Sequence, residues 1–513
     1  MSKKIKVLFV YPNERQMSVI PPAIAILSQL LKKNGHITGI FDTTFYDFDD
    51  EISIGNIDQG LQNRLTHRPV SNNDFTVRKQ KNDPADDLRK KITEFSPDLL
   101  AISCTETTFA RGLKLIIKTR DMGIKNLFGG VFSTFAPHLV MSFDMVDMLC
   151  VGEGENAIVD LANCLARGDD YYNVTNLWIR KKNGTIKKNS VTKPVDINQL
   201  PAITDLGLFD EQRFYRPLGG KIRRVLPVET HRGCPYTCSF CNSPSQNRLY
   251  SGNGSFFRKK SIELVKQEIE NHIKTWGTEY VFFWADTFLA WSPKEFDEFC
   301  EMYQDIKLPF WCQTRIETIS EYKFKKLKDV GLDRITFGME HGNEKFRREV
   351  VKRNYPNKVA LELMKIPADL DINFTVNNII GFPGETRELA FDTIELNRHF
   401  KSDSSTFSTL IPFAGTEIRQ LAESQDLIKP DQICTIANTS AEGILDMPQW
   451  RKKEVAKLQK TASMYVYFPK NRWAEIKKAE EDSELFSKLS TEYINTFWSK
   501  TDKSITEAAK GLF

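Results

Sequence analysis

Short apolar runs alternate with longer segments of helical period along most of the chain. KVLFV opens the series, PPAIAILSQLL follows with apolar residues three and four apart, and ITGIFD, DLLAIS, NLFGG and VDMLCV continue it. Runs that are apolar throughout, with no polar alternation, belong to strands covered on both faces, so a parallel sheet between helices is predicted. Pro22 suits a first helical turn, and Ile24, Leu27 and Leu31 then share one face. Residues 1–165 are therefore expected to form an α/β domain, a doubly wound five-stranded parallel sheet whose ligand lies at the C-terminal strand ends.

A polar insertion follows at 45–90, and residues 166–220 read as a connector with a hairpin at Asn183-Gly184. From Val225 a second series begins: RVLPVET, YVFFWAD, FWCQT, RITFGME, INFTVNNIIGF and TFSTLIP, with helical segments such as IELVKQEIENHI between them. Residues 221–420 are thus predicted to form a (β/α)6 partial TIM-like barrel, with reactive loops at the C-terminal strand ends. Residues 421–513 read as mostly helical, with an aromatic and basic segment, YVYFPKNRW.

Composition removes several classes. A net charge of +4 set against 71 basic and 67 acidic residues is no nucleic-acid footprint. The apolar start ends at Pro12 without a cleavage site, so it reads as a buried strand, and no run is long enough to span a bilayer. A cytoplasmic protein is expected. Nine cysteines without regular spacing suggest free thiols kept for metal rather than disulfides.

Three of those cysteines share one loop, HRGCPYTCSFCNSP: Cys234, Cys238 and Cys241. Their spacing would also make a buried stripe on a helix, but Gly233 and Pro235 oppose an uninterrupted helix there. Structural zinc wants four protein ligands in paired knuckles, and no second pair exists. Three thiolates suit a [4Fe-4S] cluster with one iron open.

At these residues the sequence resembles the cobalamin (B12)-binding-domain-containing radical S-adenosylmethionine enzyme family. The resemblance implies that the open iron chelates S-adenosylmethionine and that the cluster reductively cleaves it to a 5'-deoxyadenosyl radical. It places Phe240 against adenine. Asp286 after YVFFWA, Arg315 with Glu317 in WCQTRIE, Glu340 in FGMEHGNE, and Gly381 and Gly384 in IIGFPGET are similar to family positions around the cofactor. Each has a plainer reading too: a helix N-cap, a surface salt bridge, or a turn before a helix. IPFAGTEI matches a common ending of the same barrel.

In the first domain, PPAIAILSQLLKKNGH, NLFGGVFSTFAPH and VGEGENAIVDL resemble the family's cobalamin-binding part. The candidates it implies are Thr43, Thr44, Ser103, Thr105, Gly129, Gly130, Gly152, Glu153 and Gly154. One departure matters: FDTTFYDF supplies no histidine after Asp42, and His36 precedes the strand. Either cobalt has no histidine on its lower face or the corrin has been lost; the first is expected.

The implied function is methylation of an unactivated carbon, with S-adenosylmethionine both radical source and methyl supply for cobalamin. A radical cyclase or oxidative rearrangement is the alternative, and a non-enzymatic corrin-binding sensor the third. A methylthiotransferase would need a second cysteine triad, whereas Cys104, Cys150 and Cys164 are scattered and read as core. The substrate class stays open among small molecules, lipids, saccharides and natural products. An electron donor such as flavodoxin or ferredoxin is expected. Tyr465, Tyr467 and Trp473 either close over the barrel or pack the C-terminal core, and nucleic acid is disfavoured.

Overall fold

The computed structural model describes residues 3–13, 19–46, 65, 78–435 and 443–498. Of the polar insertion expected at 45–90, residues 47–64 and 66–77 lie outside the described residues.

The first sheet has the order β2-β1-β3-β4-β5-β6-β7. Its parallel part is β1 (Lys6–Tyr11), β2 (Ile37–Asp42), β3 (Leu99–Ser103), β4 (Lys125–Gly129) and β5 (Met148–Cys150). β1 and β3 are buried almost throughout, as strands covered on both faces must be. The helix Pro22–Lys33 begins with proline in its first turn, ends on Lys32 and Lys33 at the negative pole of its dipole, and buries Ile24, Ala25, Ile26 and Leu31. Leu27 is only half-buried and lines a cavity instead. The hairpin at Asn183-Gly184 is present as β6 (Leu177–Arg180) and β7 (Ile186–Lys188), with Gly184 at φ +82°. It does more than connect: β6 pairs antiparallel with β5 and widens the sheet to seven strands.

The second sheet runs β16-β15-β14-β13-β12-β9-β8. Six strands are parallel: β9 (Lys221–Glu229), β12 (Tyr280–Trp284), β13 (Phe310–Arg315), β14 (Leu332–Glu340), β15 (Asn373–Ile380) and β16 (Ser404–Thr409). β8 (Tyr215–Leu218) joins β9 antiparallel at one edge, and β16 is the other edge, so the sheet is an open half-barrel. Val281 and Phe283 face outward into a core with Ile269, Phe296 and Phe299 from the flanking helices. Phe283 meets Phe288 at 5.0 Å and Phe310 at 5.3 Å between ring centroids. Such pairs add about 1 kcal/mol each beyond simple burial.

A two-residue ribbon, β10 (His231–Arg232) with β11 (Arg258–Lys259), pinches off the loop between them, and the cysteines lie inside it. The C-terminal helix Lys452–Tyr467 packs along β16 and the helix Arg387–Arg398. Tyr465 is buried in that core and Trp473 packs against it at 5.5 Å between rings, while Tyr467 meets Tyr493 edge-on and Phe497 at a tilt. These aromatics build the C-terminal core.

Candidate functional site

The cysteine loop follows β10 and ends where the helix Ser243–Leu249 begins, so no helix carries the triad. Gly233, at φ +83°, leaves no room for a side chain against Phe256. The loop is tied down from several directions: Ser239 donates to the carbonyls of Val350 (2.6 Å) and Val351 (3.2 Å), Asn247 to that of Cys234 (3.1 Å), and Asn242 to that of Ala414 (2.9 Å). Each sulfur has a polar neighbour. Cys234 lies 3.3 Å from Thr287 Oγ1, the Ser243 amide donates to Cys241 at 3.4 Å, and Arg315 Nη1 donates to Cys238 at 2.9 Å. Burial nonetheless pushes the Cys234 thiol up and that of Cys241 to about 11, so their thiolates need a nearby cation. Among the described residues no three His, Cys, Asp or Glu side chains converge on a point where one metal ion would sit.

The positions singled out around this loop fall into two groups. Phe240 is half-buried, edge-on to Phe382 at 6.4 Å, beneath the Arg353 guanidinium at 5.7 Å. Asp286 is exposed, accepts from Ser243 Oγ at 3.1 Å, and caps no helix, since the next helix is capped by Ser292. Arg315, beside the cysteines, also pairs with Glu317 at 2.5 Å and lies 3.8 Å from the Tyr236 ring centre. Glu340 sits at φ +70° where the register of β14 slips, and pairs with Arg353 at 3.1 Å. Neither pair lies on the surface: Arg315, Glu340 and Arg353 are buried and Glu317 is half-buried. Gly381 (φ +87°) and Gly384 (φ +81°) shape the turn after β15. Glu385 fixes that turn by accepting from the Gly381 amide at 2.6 Å and the Phe382 amide at 2.9 Å, with His341 3.2 Å away.

A cavity of about 970 Å³ opens between the C-terminal ends of β1, β3, β4 and β5 and the mouth of the half-barrel. Ser103, Thr105, Gly129, Gly130, Gly152, Glu153 and Gly154 line one wall; Glu229, Arg232, Phe240, Trp284 and Phe413 line the other. Thr43 and Thr44 are not on the wall. They are fully buried, Thr43 donating to the Asn13 carbonyl at 2.9 Å and Thr44 to Asp42 at 2.6 Å. His36 lies at the opposite strand end, where Nδ1 accepts the Ile5 amide at 3.3 Å, and no histidine is among the lining residues described. The glycines differ. A side chain at Gly130 would strike the Cys104 carbonyl and one at Gly152 the Tyr250 hydroxyl, so the fold itself needs both. At Gly129 and Gly154 a Cβ would meet nothing closer than 3.9 Å, so no protein neighbour described requires their bareness.

Buried charge joins the two walls. Arg232 reaches Glu153 (3.1 Å) and Glu155 (2.5 Å) on the first domain and Glu229 (3.1 Å) on the barrel, while Arg258 also holds Glu153. Burial raises Glu229, but Arg232 and Lys260 outweigh it and leave the carboxyl below its ordinary range; Arg258 and Arg232 do the same for Glu153. Sequence reading missed Arg232, although it stands two residues before Cys234, because its partners lie far away in the chain. It also missed Arg353, which carries no motif of its own, and Glu385, which stands inside IIGFPGET beside the two glycines singled out there.

These features define a two-part protein with a cysteine-loop half-barrel facing a doubly wound domain across one cavity. A family model of the radical SAM superfamily matches residues 228–396, and one of the B12 binding domain matches residues 13–162. The chain belongs to the radical S-adenosylmethionine enzymes that carry a B12-binding domain. It is 25% identical over 388 residues to an uncharacterized methyltransferase of Pyrococcus horikoshii, covering 74% of this chain and 81% of that one. It is 27% identical over 353 residues to the anaerobic magnesium-protoporphyrin IX monomethyl ester cyclase of Rubrivivax gelatinosus, 65% of this chain but only 60% of the cyclase. In fold it resembles the radical S-adenosylmethionine methyltransferase TsrM from Kitasatospora setae, solved with cobalamin and a [4Fe-4S] cluster, with TM-score 0.64, 14% identity and coverage of 98% and 100% of the two chains.

Proposed function

We propose that this enzyme methylates an unactivated carbon of a small molecule, with a [4Fe-4S] cluster on Cys234, Cys238 and Cys241 and cobalamin in the cavity, without a histidine on its lower face. The observation that carries this reading is that one cavity is walled both by the bare backbone at Gly129 and Gly154 and by Phe240 of the cysteine loop. When bound, the cluster with S-adenosylmethionine supplies a 5'-deoxyadenosyl radical and cobalamin supplies a methyl donor. The chain's own residues do the rest. Arg315 donates to Cys238 and stabilises negative charge on that sulfur. Phe240, Gly381 and Gly384 offer an aromatic face and close backbone beside adenine, Asp286 a solvent-reachable acceptor for the amine, and Arg315 and Glu340 polar walls. Gly129, Gly130, Gly152, Gly154, Ser103, Thr105 and the backbone of Glu153 cradle the corrin. Thr43 and Thr44 support that floor from below. The wall shared by both domains excludes water from the reacting centre.

A radical cyclase is the second reading, favoured by the Rubrivivax gelatinosus relative. Mass spectrometry of extracts from cells with and without the gene separates the two. Methyl transfer requires a product heavier by one methylene, and a cyclase removes hydrogen without that gain. A low-potential donor such as flavodoxin or ferredoxin would feed the cluster. No helix among the described residues is long and apolar enough to cross a membrane.

The glycine wall is directly testable. Gly129→Val keeps an ordinary strand conformation and is expected to shift stability by less than about 1 kcal/mol, yet to weaken hydroxocobalamin binding roughly tenfold or more, ~1.4 kcal/mol of overlap. Gly130→Ala, at φ +109° against a carbonyl, is expected to lower the melting temperature itself. Absorbance titrations beside thermal melts read the two effects apart.

A further inference from the structure

The concave face of the half-barrel carries a positive charge that no carboxylate among the described residues answers. Register fixes what that face presents. Val281 and Phe283 point outward into the helical core, so Phe282 and Trp284 point inward, and the pairing of β12 with β13 puts Trp311 beside Phe282. Phe282 and Trp311 stack, centroids 4.1 Å apart and planes 18° from parallel, and Trp311 Nε1 donates to Thr336 at 3.0 Å. Trp284, 38% exposed, continues this aromatic shelf toward the cavity below the cysteine loop.

Arg216 on β8 pairs with Arg223 on β9 and lays its guanidinium 5.1 Å from the centre of the Phe282 ring. Its Nε and Nη1 are shut from solvent and have no hydrogen-bond partner. Three arginines around it hold carboxylates, Arg213 on Asp42, Arg224 on Glu211 at 3.0 Å and Arg334 on Asp333 at 3.0 Å, while Arg223, its partner in register, lies 5.8 Å from the centre of the Tyr280 ring. Burial, then the charge of Arg213, pulls Arg216 down to about 10, which still leaves it charged at neutral pH. Two orphaned donors on a buried cation are costly, and a guanidinium answers that cost with an oxyanion.

We propose that this face is the substrate site and that it takes a flat, apolar monocarboxylate, its body on Phe282 and Trp311 and its carboxylate on Arg216. This rests on the reading above that the reaction takes place at the mouth of this half-barrel.

Calorimetric titration of the full chain with its cluster reconstituted tests it, using 2-naphthylacetate, the neutral 2-naphthylacetamide and 2-naphthyl phosphate as probes. Wild type is expected to prefer the carboxylate over the amide by roughly tenfold or more, one charge-assisted bond converted at 1.4 kcal/mol per decade. Arg216→Met should erase that preference, Arg216→Lys should keep part of it, and Phe282→Ala should weaken acid and amide alike. No binding by wild type, equal binding of acid and amide, an unchanged preference in Arg216→Met, or a stronger preference for the phosphate overturns the inference. If Arg216→Met does not fold, a preference in Arg216→Lys equal to wild type overturns it. Cluster absorbance and S-adenosylmethionine cleavage are measured on the same samples. Wild type that prefers the acid but fails those two contradicts the proposed radical chemistry alone.

Discussion

Cys238→Ala is expected to abolish the broad visible absorbance of the reconstituted protein and reduce S-adenosylmethionine cleavage to that of the cluster-free chain. The proposed cluster makes the effect all-or-none, because each of the three sulfurs would hold a separate iron and the loop that presents them has no spare cysteine. The other described cysteines, Cys104, Cys150, Cys164, Cys300, Cys312 and Cys434, sit elsewhere in the fold. Stability should change little: a small buried side chain is lost, worth about 1 kcal/mol. The fold holds the loop through Ser239, Asn242 and Asn247, none of which depends on the Cys238 sulfur. Iron content, visible absorbance and a thermal melt on one preparation distinguish loss of the cluster from loss of the fold. Retention of the cluster in the Cys234→Ala, Cys238→Ala, Cys241→Ala triple variant would remove the triad from the chemistry.

Arg232→Met is expected to cost more stability than any cysteine change, about 3–5 kcal/mol, because it leaves Glu153, Glu155 and Glu229 buried around a missing cation. All four side chains are at least 86% shielded, so solvent does little to screen the loss. Denaturant unfolding should show the drop, and cobalamin affinity should fall with it, since Arg232 joins the glycine wall to the barrel. Glu229→Gln added to Arg232→Met should recover part of it by removing one orphaned charge. The pH dependence has a definite sign. Glu153 and Glu229 are held below their unfolded values, so their contribution is present above the ordinary carboxylate range, near pH ~4.5, and is lost as pH falls through the folded values. Wild type should therefore lose stability on acidification more steeply than Arg232→Met. Equal slopes would show that the network does not couple protonation to folding.

Much of this was legible where the signal is local. The apolar runs that become β1, β3 and β12 to β16 are contiguous, and Gly233 and Pro235 already excluded a helix through the cysteines. Chemistry written into adjacent residues survives without a structure. What depends on register or distance does not. That Phe282 and Trp311 share the concave face follows only from how β12 pairs with β13. Arg216 looks like any edge arginine until Arg213, Arg224 and Arg334 are seen to hold carboxylates and its own Nε and Nη1 to hold none. Thr43 and Thr44 have the composition of a cofactor loop, but their hydroxyls are taken up by Asn13 and Asp42. Asp286 had an even choice between cap and pocket, and the later helix start at Pro293 removes the cap. The β6–β7 hairpin was visible as a turn, yet its docking on β5 needed an exposed sheet edge that composition does not reveal.

The most direct measurement is anaerobic: the reconstituted protein with S-adenosylmethionine and a low-potential reductant, followed for 5'-deoxyadenosine and methionine. The cysteine triad with its open iron predicts both products in wild type and neither in Cys238→Ala. A wild-type protein loaded with its [4Fe-4S] cluster that forms no 5'-deoxyadenosine under reduction, with or without substrate, would contradict it.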